Sequence, residues 1–90
     1  MATTHQVTHN EQAGSFEVFV EGHRAHLDYR KVDDNTLDFC HTFVPNELRG
    51  KGLAGVVTAA ALEYARDKGF KVIPSCSYVE VYMKREADKA

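Results

Sequence analysis

The stretch that most constrains this chain is a glycine-rich turn, Arg49-Gly50-Lys51-Gly52-Leu53-Ala54-Gly55, between an apolar segment and an amphipathic one. It follows a predicted strand that closes at Pro45 and opens a helix predicted to run to about Lys68. The first N–H groups of a helix have no partner within it and usually recruit a Ser, Thr, Asp or Asn side chain. None of these lies between Glu47 and Val57. The pattern therefore favours a backbone site for a phosphate-like anion.

A simpler interpretation of the turn stays open at this point. Asn46 would cap an earlier helix start, and the glycines would only shape the turn, since short glycine patterns are weak signals. Gly55 favours a packing or ligand contact, because glycine inside a helix costs roughly 0.5–1 kcal/mol relative to alanine. Lys51 also has two interpretations, a phosphate contact or a solvated surface lysine.

Composition excludes several functional classes. With 90 residues, 43% hydrophobic and 27% charged, we expect one domain over residues 1–90 with a modest core. A net charge of −2 argues against a nucleic-acid partner. No apolar run is long enough to span a membrane, and residues 1–5 do not resemble a signal peptide, so we expect a cytoplasmic protein without a membrane partner. Cys40 and Cys76 are too few for a metal site, and we expect free thiols.

The first half of the chain predicts an antiparallel meander. Alternating apolar residues and turn signals place strands near Val7–His9, Phe16–Val20, Ala25–Tyr29 and Leu37–Val44. The last of these has apolar groups on both faces, which predicts a central strand covered on each side.

Strict alternation along that central strand puts His41 on one face with Leu37, Phe39 and Phe43. A histidine among large apolar residues is commonly a hydrogen-bonded core residue. The functional alternative is a base near a cleft that accepts a proton from a substrate amine, a role that suits its intrinsic pKa.

Spacing predicts one long helix after the turn, with small and apolar residues from Leu53 to Tyr64 on one face. Gly69 fits the position just after its end. Phe70–Ile73 then predicts a short strand parallel to the central strand, because such crossovers are right-handed. Pro74 ends the pairing, since proline has no N–H to donate.

Cys76 lies where a ligand would collect. Ser77-x-x-Glu80 matches a capping box and predicts a final helix from Tyr78 to about Ala87. Cys76 then lies just outside the N-terminus of that helix, which favours its thiolate. The alternative is a small buried apolar residue, the usual environment of a free cysteine. We assign Cys40, in mid-strand, to packing.

Three segments together resemble a known family. Arg49-x-x-Gly52-x-Ala54 is similar to the Arg/Gln-x-x-Gly-x-Gly/Ala pattern of the GCN5-related N-acetyltransferases. Pro74-Ser75-Cys76-Ser77-Tyr78 and His41-Thr42-Phe43-Val44-Pro45 resemble a small subgroup of single short domains with a cysteine after the last strand. The resemblance covers roughly residues 5–86.

The resemblance implies an abbreviated α+β fold and a cofactor. We expect a mostly antiparallel sheet of about five strands with a splayed parallel pair, one long helix and one short C-terminal helix. It implies acetyl-coenzyme A, with its pantetheine arm in the splay and its pyrophosphate on the turn. The expected cofactor-binding residues are Val44, Arg49, Gly50, Lys51, Gly52, Leu53, Ala54 and Gly55.

The implied reaction transfers an acetyl group to an unidentified amine. In a direct mechanism, His41 is the candidate base, and Tyr78 or Tyr82 protonates the departing coenzyme A thiolate. In a covalent mechanism, Cys76 takes the acetyl group first. Tyr78 and Tyr82 lie at i and i+4, and the alternative is that they pack against the sheet.

The chain is short for this family, without room before the sheet for the helical pair that usually builds the acceptor wall. Two alternatives to an enzyme therefore remain, a non-enzymatic module that binds or senses acyl-coenzyme A and an interaction domain with a vestigial site. We expect a monomer or a weak homodimer.

Overall fold

The computed structural model describes residues 6–89 and has the predicted α+β architecture. Its five strands form one sheet in the order β1-β2-β3-β4-β5, antiparallel except for the parallel pair β4–β5. The strands are β1 (Thr8–Asn10), β2 (Ser15–Val20), β3 (His23–Asp33), β4 (Thr36–Phe43) and β5 (Lys71–Ile73). The helices are α1 (Leu53–Lys68) and α2 (Ser77–Lys89), and a short 3₁₀ turn covers Asn46–Leu48. Residues 1–5, on which the expected absence of a signal peptide rests, lie outside the described residues.

The core lies between α1 and one face of the sheet, which we call the inner face. Val18, Leu27 and Phe39 project from this face and are at most 1% exposed. Of the residues predicted for the apolar face of α1, Leu53, Val57 and Ala61 are buried, and Val56 and Tyr64 are partly buried against the core. The fully buried residues of α1 are Leu53, Val57, Thr58, Ala61, Leu62 and Ala65. No helix within residues 6–89 is long and apolar enough to cross a membrane.

A β-bulge at Cys40 changes which side chains of β4 face the core. Asp28 of β3 pairs with His41 and the next residue, Tyr29, pairs with Phe39, so Cys40 is an extra residue on β4. The side-chain alternation is inverted beyond a bulge of this kind. The prediction that His41 shares a face with Phe39 is therefore wrong.

Beyond the bulge, Thr42 takes the inner face and its neighbours take the other. Thr42 pairs with Leu27, a core residue, and is partly buried. Phe43 pairs with His26 on the opposite face, which we call the outer face, and is 43% exposed. The prediction that β4 is covered on both sides along its whole length is wrong at this end.

Strands β4 and β5 pair only briefly and then separate. The ladder joins residues 36–38 of β4 to 71–73 of β5. Cys76 N–H adds one further hydrogen bond, 2.9 Å to the carbonyl of Phe39. In the described chain, β4 then continues to Phe43 without a partner on its β5 side. The ladder ends before Pro74 and the chain leaves β4 after Cys76, so the splayed parallel pair is present.

Candidate functional site

The glycine turn presents the start of α1 without a cap. Gly50 and Gly52 have φ values of 85° and 75°, a left-handed conformation that favours glycine. Gly52 is the N-cap of α1, and no side chain makes a capping hydrogen bond there. The first helical hydrogen bond runs from Val56 N–H to the Gly52 carbonyl, at 3.2 Å. The N–H groups of residues 53–55 therefore precede the helical ladder and face the turn.

The alternative interpretation of the turn is wrong for Asn46. This residue begins the 3₁₀ turn, six residues before the N-cap of α1, and the 3₁₀ turn itself starts from Pro45 without a side-chain cap. The start of α1 depends on glycine conformation alone.

A groove of about 250 Å³ lies over this turn. Seven of the eight predicted cofactor-binding residues line it, while Lys51 is exposed outside the lining. Tyr78, which was predicted as a candidate proton donor, also lines it, and so does Leu48, which the sequence did not indicate. The full lining is Val44, Leu48, Arg49, Gly50, Gly52, Leu53, Ala54, Gly55 and Tyr78.

Arg49 braces the groove. Its Nε donates a hydrogen bond of 3.3 Å to the carbonyl of Val44, the residue that follows β4. This bond ties the turn back to the strand that precedes it, and it places a guanidinium beside the uncapped helix start. Both features favour an anion at this position.

Helix α2 approaches α1 at Gly55. A Cβ added to Gly55 would lie 3.5 Å from Tyr78 Oη and 3.8 Å from Tyr82 Cε2. At the other end of α2, Glu86 accepts a hydrogen bond of 2.7 Å from Arg66. The tyrosine pair, predicted as an alternative to pack against the sheet, therefore packs against the first turn of α1.

We expect Gly55→Ala to stabilise the unliganded protein. The contacts that a methyl group would make are of ordinary van der Waals length, and Gly55 has helical backbone angles, so no strain offsets the gain in helix propensity. The free energy of unfolding, measured by urea denaturation, should rise by about 0.5–1 kcal/mol. A decrease would show that the tyrosines pack more tightly on Gly55 than the structure indicates.

Cys76, rather than Ser77, is the N-cap of α2. The Cys76 carbonyl accepts the first helical hydrogen bond from Glu80 N–H at 3.1 Å, and the helix begins at Ser77. The predicted capping box is therefore out of register by one residue. In the observed register the thiol occupies the position of a capping side chain.

The Cys76 thiol lies in an environment that favours its ionised form. Partial burial raises its pKa, but this is outweighed by hydrogen bonding from Thr42 and from the N–H groups of Val79 and Tyr78, so the pKa is lowered. Cys76 Sγ lies 3.5 Å from Thr42 Oγ1. The N–H groups of Tyr78 and Val79 are those that a capping side chain normally binds. The thiol is free and partly buried, and its surroundings favour the thiolate, which is the reactive form of cysteine.

His41 lies on the other side of the sheet. It neighbours His26 and Phe43 on the outer face, with ring centroids 6.1 Å and 6.5 Å away. Thr42, which contacts Cys76, projects from the inner face. The bulge at Cys40 therefore separates His41 from Cys76, and the structure gives no support to His41 as the base.

Tyr82 lies beside the groove, next to Gly55. Burial raises its pKa, and Glu86 and Tyr78 raise it further, against an opposing effect of Arg66. Its phenol is therefore protonated at neutral pH.

Asp38 is a residue of the site that the sequence analysis missed. It is only 6% exposed, and its Oδ2 accepts a hydrogen bond of 3.2 Å from Arg30. Hydrogen bonding from the Ser75 hydroxyl, with a smaller contribution from Arg30, outweighs burial and lowers the pKa of Asp38. The carboxylate lies beside Ser75, the residue that precedes Cys76, while its buried Oδ1 makes no hydrogen bond of standard geometry with the described residues. A charged residue between Leu37 and Phe39 in a buried strand was the available signal.

Within the described part of the chain, no group of three or more His, Cys, Asp or Glu residues is arranged to hold a metal ion.

Comparison with known proteins identifies the family. The profile of the GCN5-related N-acetyl-transferase family matches residues 15–90. Protein NATD1 of Mus musculus is 35% identical over 81 residues, which cover 88% of this chain and 74% of the relative. Protein NATD1 of Homo sapiens is 33% identical over 81 residues, 88% of this chain and 72% of the relative.

A solved structure has the same fold. The NMR solution structure of a GCN5-like candidate N-acetyltransferase from Staphylococcus aureus superposes with a TM-score of 0.71 at 29% identity, covering 92% of this chain and 81% of that one. The family profile spans well over half of the chain and agrees with the splayed strands and the glycine turn. The chain therefore belongs to the GCN5-related N-acetyltransferase family.

Proposed function

We propose that this protein binds acetyl-coenzyme A and transfers the acetyl group to an amine by way of Cys76. The observation that supports cofactor binding is the groove over the uncapped start of α1. Its floor offers the N–H groups of residues 53–55, and Arg49 lies at its side. A pyrophosphate would find hydrogen-bond donors, the positive end of the α1 dipole and a cation at one place.

The groove leads to the thiol. Val44 and Tyr78 line the groove, and two residues earlier on each segment Thr42 and Cys76 lie in contact. The unpaired edge of β4 runs between these points and offers backbone groups to the pantetheine arm. With the pyrophosphate on the turn, the thioester would therefore extend toward Cys76.

The chemistry requires two acyl transfers. In the first, the Cys76 thiolate attacks the acetyl carbonyl, a new S–C bond forms, and the C–S bond of the coenzyme breaks. The departing thiolate takes a proton from Tyr82. In the second, the amine attacks acetyl-Cys76, the thiolate leaves, and the proton that the amine loses returns to the Tyr82 phenolate. Splitting the transfer in this way lowers the barrier of each step.

Direct transfer has less support from the structure. It needs a base for the amine, and the predicted base, His41, lies on the outer face, across the sheet from Thr42. A thiolate nucleophile needs no such base in its first step.

Mass spectrometry of the intact protein with acetyl-coenzyme A tests this proposal. We expect a non-covalent complex under native conditions and a covalent acetyl adduct after denaturation. Cys76→Ala should lose the covalent adduct and keep the complex, while Cys40→Ala should keep both. A complex without a covalent adduct would indicate direct transfer or a binding module, and no complex would contradict the cofactor proposal.

Tyr82→Phe tests the proton donor. We expect turnover to fall about 10²-fold, in the range typical of general acid catalysis, with little change in acetyl-coenzyme A affinity. The phenyl ring keeps the packing on Gly55, and a matched Tyr78→Phe variant shows whether the neighbouring phenol substitutes for it. Unchanged turnover in Tyr82→Phe would exclude this residue as the acid.

A further inference from the structure

We propose that a second ligand site lies between the C-terminal half of α1 and the sheet, and that it binds a free amino acid with an aromatic side chain. The site goes beyond the proposed function, because it shares no lining residue with the groove over the glycine turn. Tyr64, on its wall, lies about 16 Å along α1 from Leu53, which lines the groove.

The site is a cavity of about 290 Å³ on the inner face of the sheet. This volume is at the lower limit of small-molecule sites and suits a ligand of amino-acid size. Leu37 of β4 and Tyr29 of β3 lie on the sheet side of the cavity, and Tyr64 and Phe70 lie on the helix side. The turn between β1 and β2 closes it at the edge.

A backbone contact holds that turn against β3. The Tyr29 N–H donates a hydrogen bond of 2.8 Å to the Gly14 carbonyl. Gly14 has a φ of 68°, and a Cβ on it would lie only 2.9 Å from the Tyr29 carbonyl oxygen. Because only glycine permits this approach, the turn that carries Glu11 is placed beside the strand that carries Tyr29 and Lys31.

The aromatic walls are ordered by contacts within the protein. Tyr29 Oη lies 2.6 Å from His9 Nε2. Burial lowers the pKa of His9, against an opposing effect of Glu11, and burial, Tyr64 and Glu11 all raise the pKa of Tyr29. At neutral pH a protonated phenol therefore donates to a neutral imidazole. The rings of Tyr64 and Phe70 lie 6.1 Å apart and 22° from parallel, and they offer a packing surface to a further ring.

The rim of the cavity carries one charge of each sign. Lys31 Nζ lies 5.9 Å from the centre of the Phe70 ring, and Glu11 lies on the turn between β1 and β2. Both residues are exposed, and neither forms an ion pair with any residue in the range 6–89. An amino acid carries an ammonium and a carboxylate on one carbon, so it can pair with both while its ring packs on the aromatic wall. A ligand with a single charge would leave one rim charge unpaired.

Titration with L-phenylalanine, followed by the backbone amide signals in NMR, tests the assignment. We expect saturable shifts at Ala13, Gly14 and Lys31, and none at Gly52 or Gly55. Phenethylamine lacks the carboxylate and hydrocinnamate lacks the ammonium. Each should bind about tenfold more weakly than phenylalanine, the effect of one partly solvated charged contact. Alanine, which lacks the ring, should give no saturable shift.

Two charge variants distinguish recognition of the amino acid from packing alone. Lys31→Gln should bind phenylalanine about tenfold more weakly and phenethylamine unchanged, because phenethylamine has no carboxylate to lose a partner. Glu11→Gln should bind phenylalanine more weakly by a similar factor and hydrocinnamate unchanged. Lys68→Gln and Glu63→Gln remove the same charges from exposed positions of α1 outside the cavity, and both should keep the affinity for phenylalanine.

Three results would overturn the proposal. The first is the absence of saturable shifts at the cavity with phenylalanine. The second is equal affinity for phenylalanine and both one-charge analogues, which would indicate an apolar cavity only. The third is a set of shifts confined to Gly52 and Gly55, which would place phenylalanine in the groove. None of these results bears on the binding of acetyl-coenzyme A, which is measured separately.

Discussion

We expect Gly52→Glu to abolish measurable binding of acetyl-coenzyme A while the protein stays folded. Gly52 is the N-cap of α1, and a Cβ placed on it meets no atom within 4 Å, so the glutamate side chain has room in the unliganded protein. Its carboxylate would lie at the uncapped N–H groups and compete with the pyrophosphate. Isothermal titration calorimetry should show an affinity loss of at least 10²-fold, as expected when an anion is placed in an anion site.

The effect of backbone strain on the affinity must be distinguished from the effect of the added charge, because Gly52 has a φ of 75°. An L-residue in this conformation costs roughly 1–2 kcal/mol. Gly69 provides a matched control at the other end of the same helix, with φ 76° and ψ 23° against φ 75° and ψ 18° for Gly52. A Cβ there also meets no atom within 4 Å.

Gly69→Glu should therefore lose similar stability and keep its affinity for acetyl-coenzyme A. Gly52→Ala should carry the strain without the charge and retain most of the affinity. If Gly52→Glu binds within about threefold of wild type, or if Gly69→Glu loses as much as Gly52→Glu, the pyrophosphate does not bind at the turn.

The turn and α1 could be predicted because their signals are local. The left-handed glycines at the turn, the apolar spacing of α1 and Gly69 at its end each follow from a few neighbouring residues. The parallel arrangement of β5 follows from the handedness of crossovers. These features are enough to place the groove.

The surroundings of Cys76 could not be predicted, because they depend on shifts of one residue in the pairing of β4 and in the start of α2. The bulge at Cys40 exchanges the faces of His41 and Thr42, and no alternation pattern signals a bulge. The cap of α2 is Cys76 rather than Ser77, and the Cys76 N–H is held by the Phe39 carbonyl of β4. Both shifts come from contacts between β4 and the segment after β5, which are distant in sequence.

The contact between α2 and α1 could not be predicted from the sequence either. Gly55 was predicted to have a packing or ligand role, and the structure shows the packing role with Tyr78 and Tyr82. The same contact brings Tyr78 to the groove. A glycine on one helix and an aromatic residue on another give no sign in the sequence that they meet.

We expect Thr42→Val to raise the pKa of Cys76 and Thr42→Ser to leave it near its native value. Serine keeps the hydroxyl 3.5 Å from Sγ, whereas valine keeps the shape and removes the donor. One hydrogen bond to a charged group is worth about 1.5–3 kcal/mol, and this long, partly solvated one should lie at the lower end. Cys40→Ala in every variant leaves a single thiol.

The midpoint of the pH dependence of alkylation is the measurement, because the rate at one pH also reflects the lower nucleophilicity of a more acidic thiolate. Native Cys76 has a pKa below the usual thiol value of 9.0. The thiolate therefore contributes stability that is fully present above that value and is lost as the pH falls through the lower, folded pKa. The unfolding free energy of Thr42→Ser should thus rise between neutral pH and pH 9 more than that of Thr42→Val. Equal midpoints for valine and serine would show that backbone N–H groups, those of residue 42 and of α2, stabilise the thiolate without the hydroxyl.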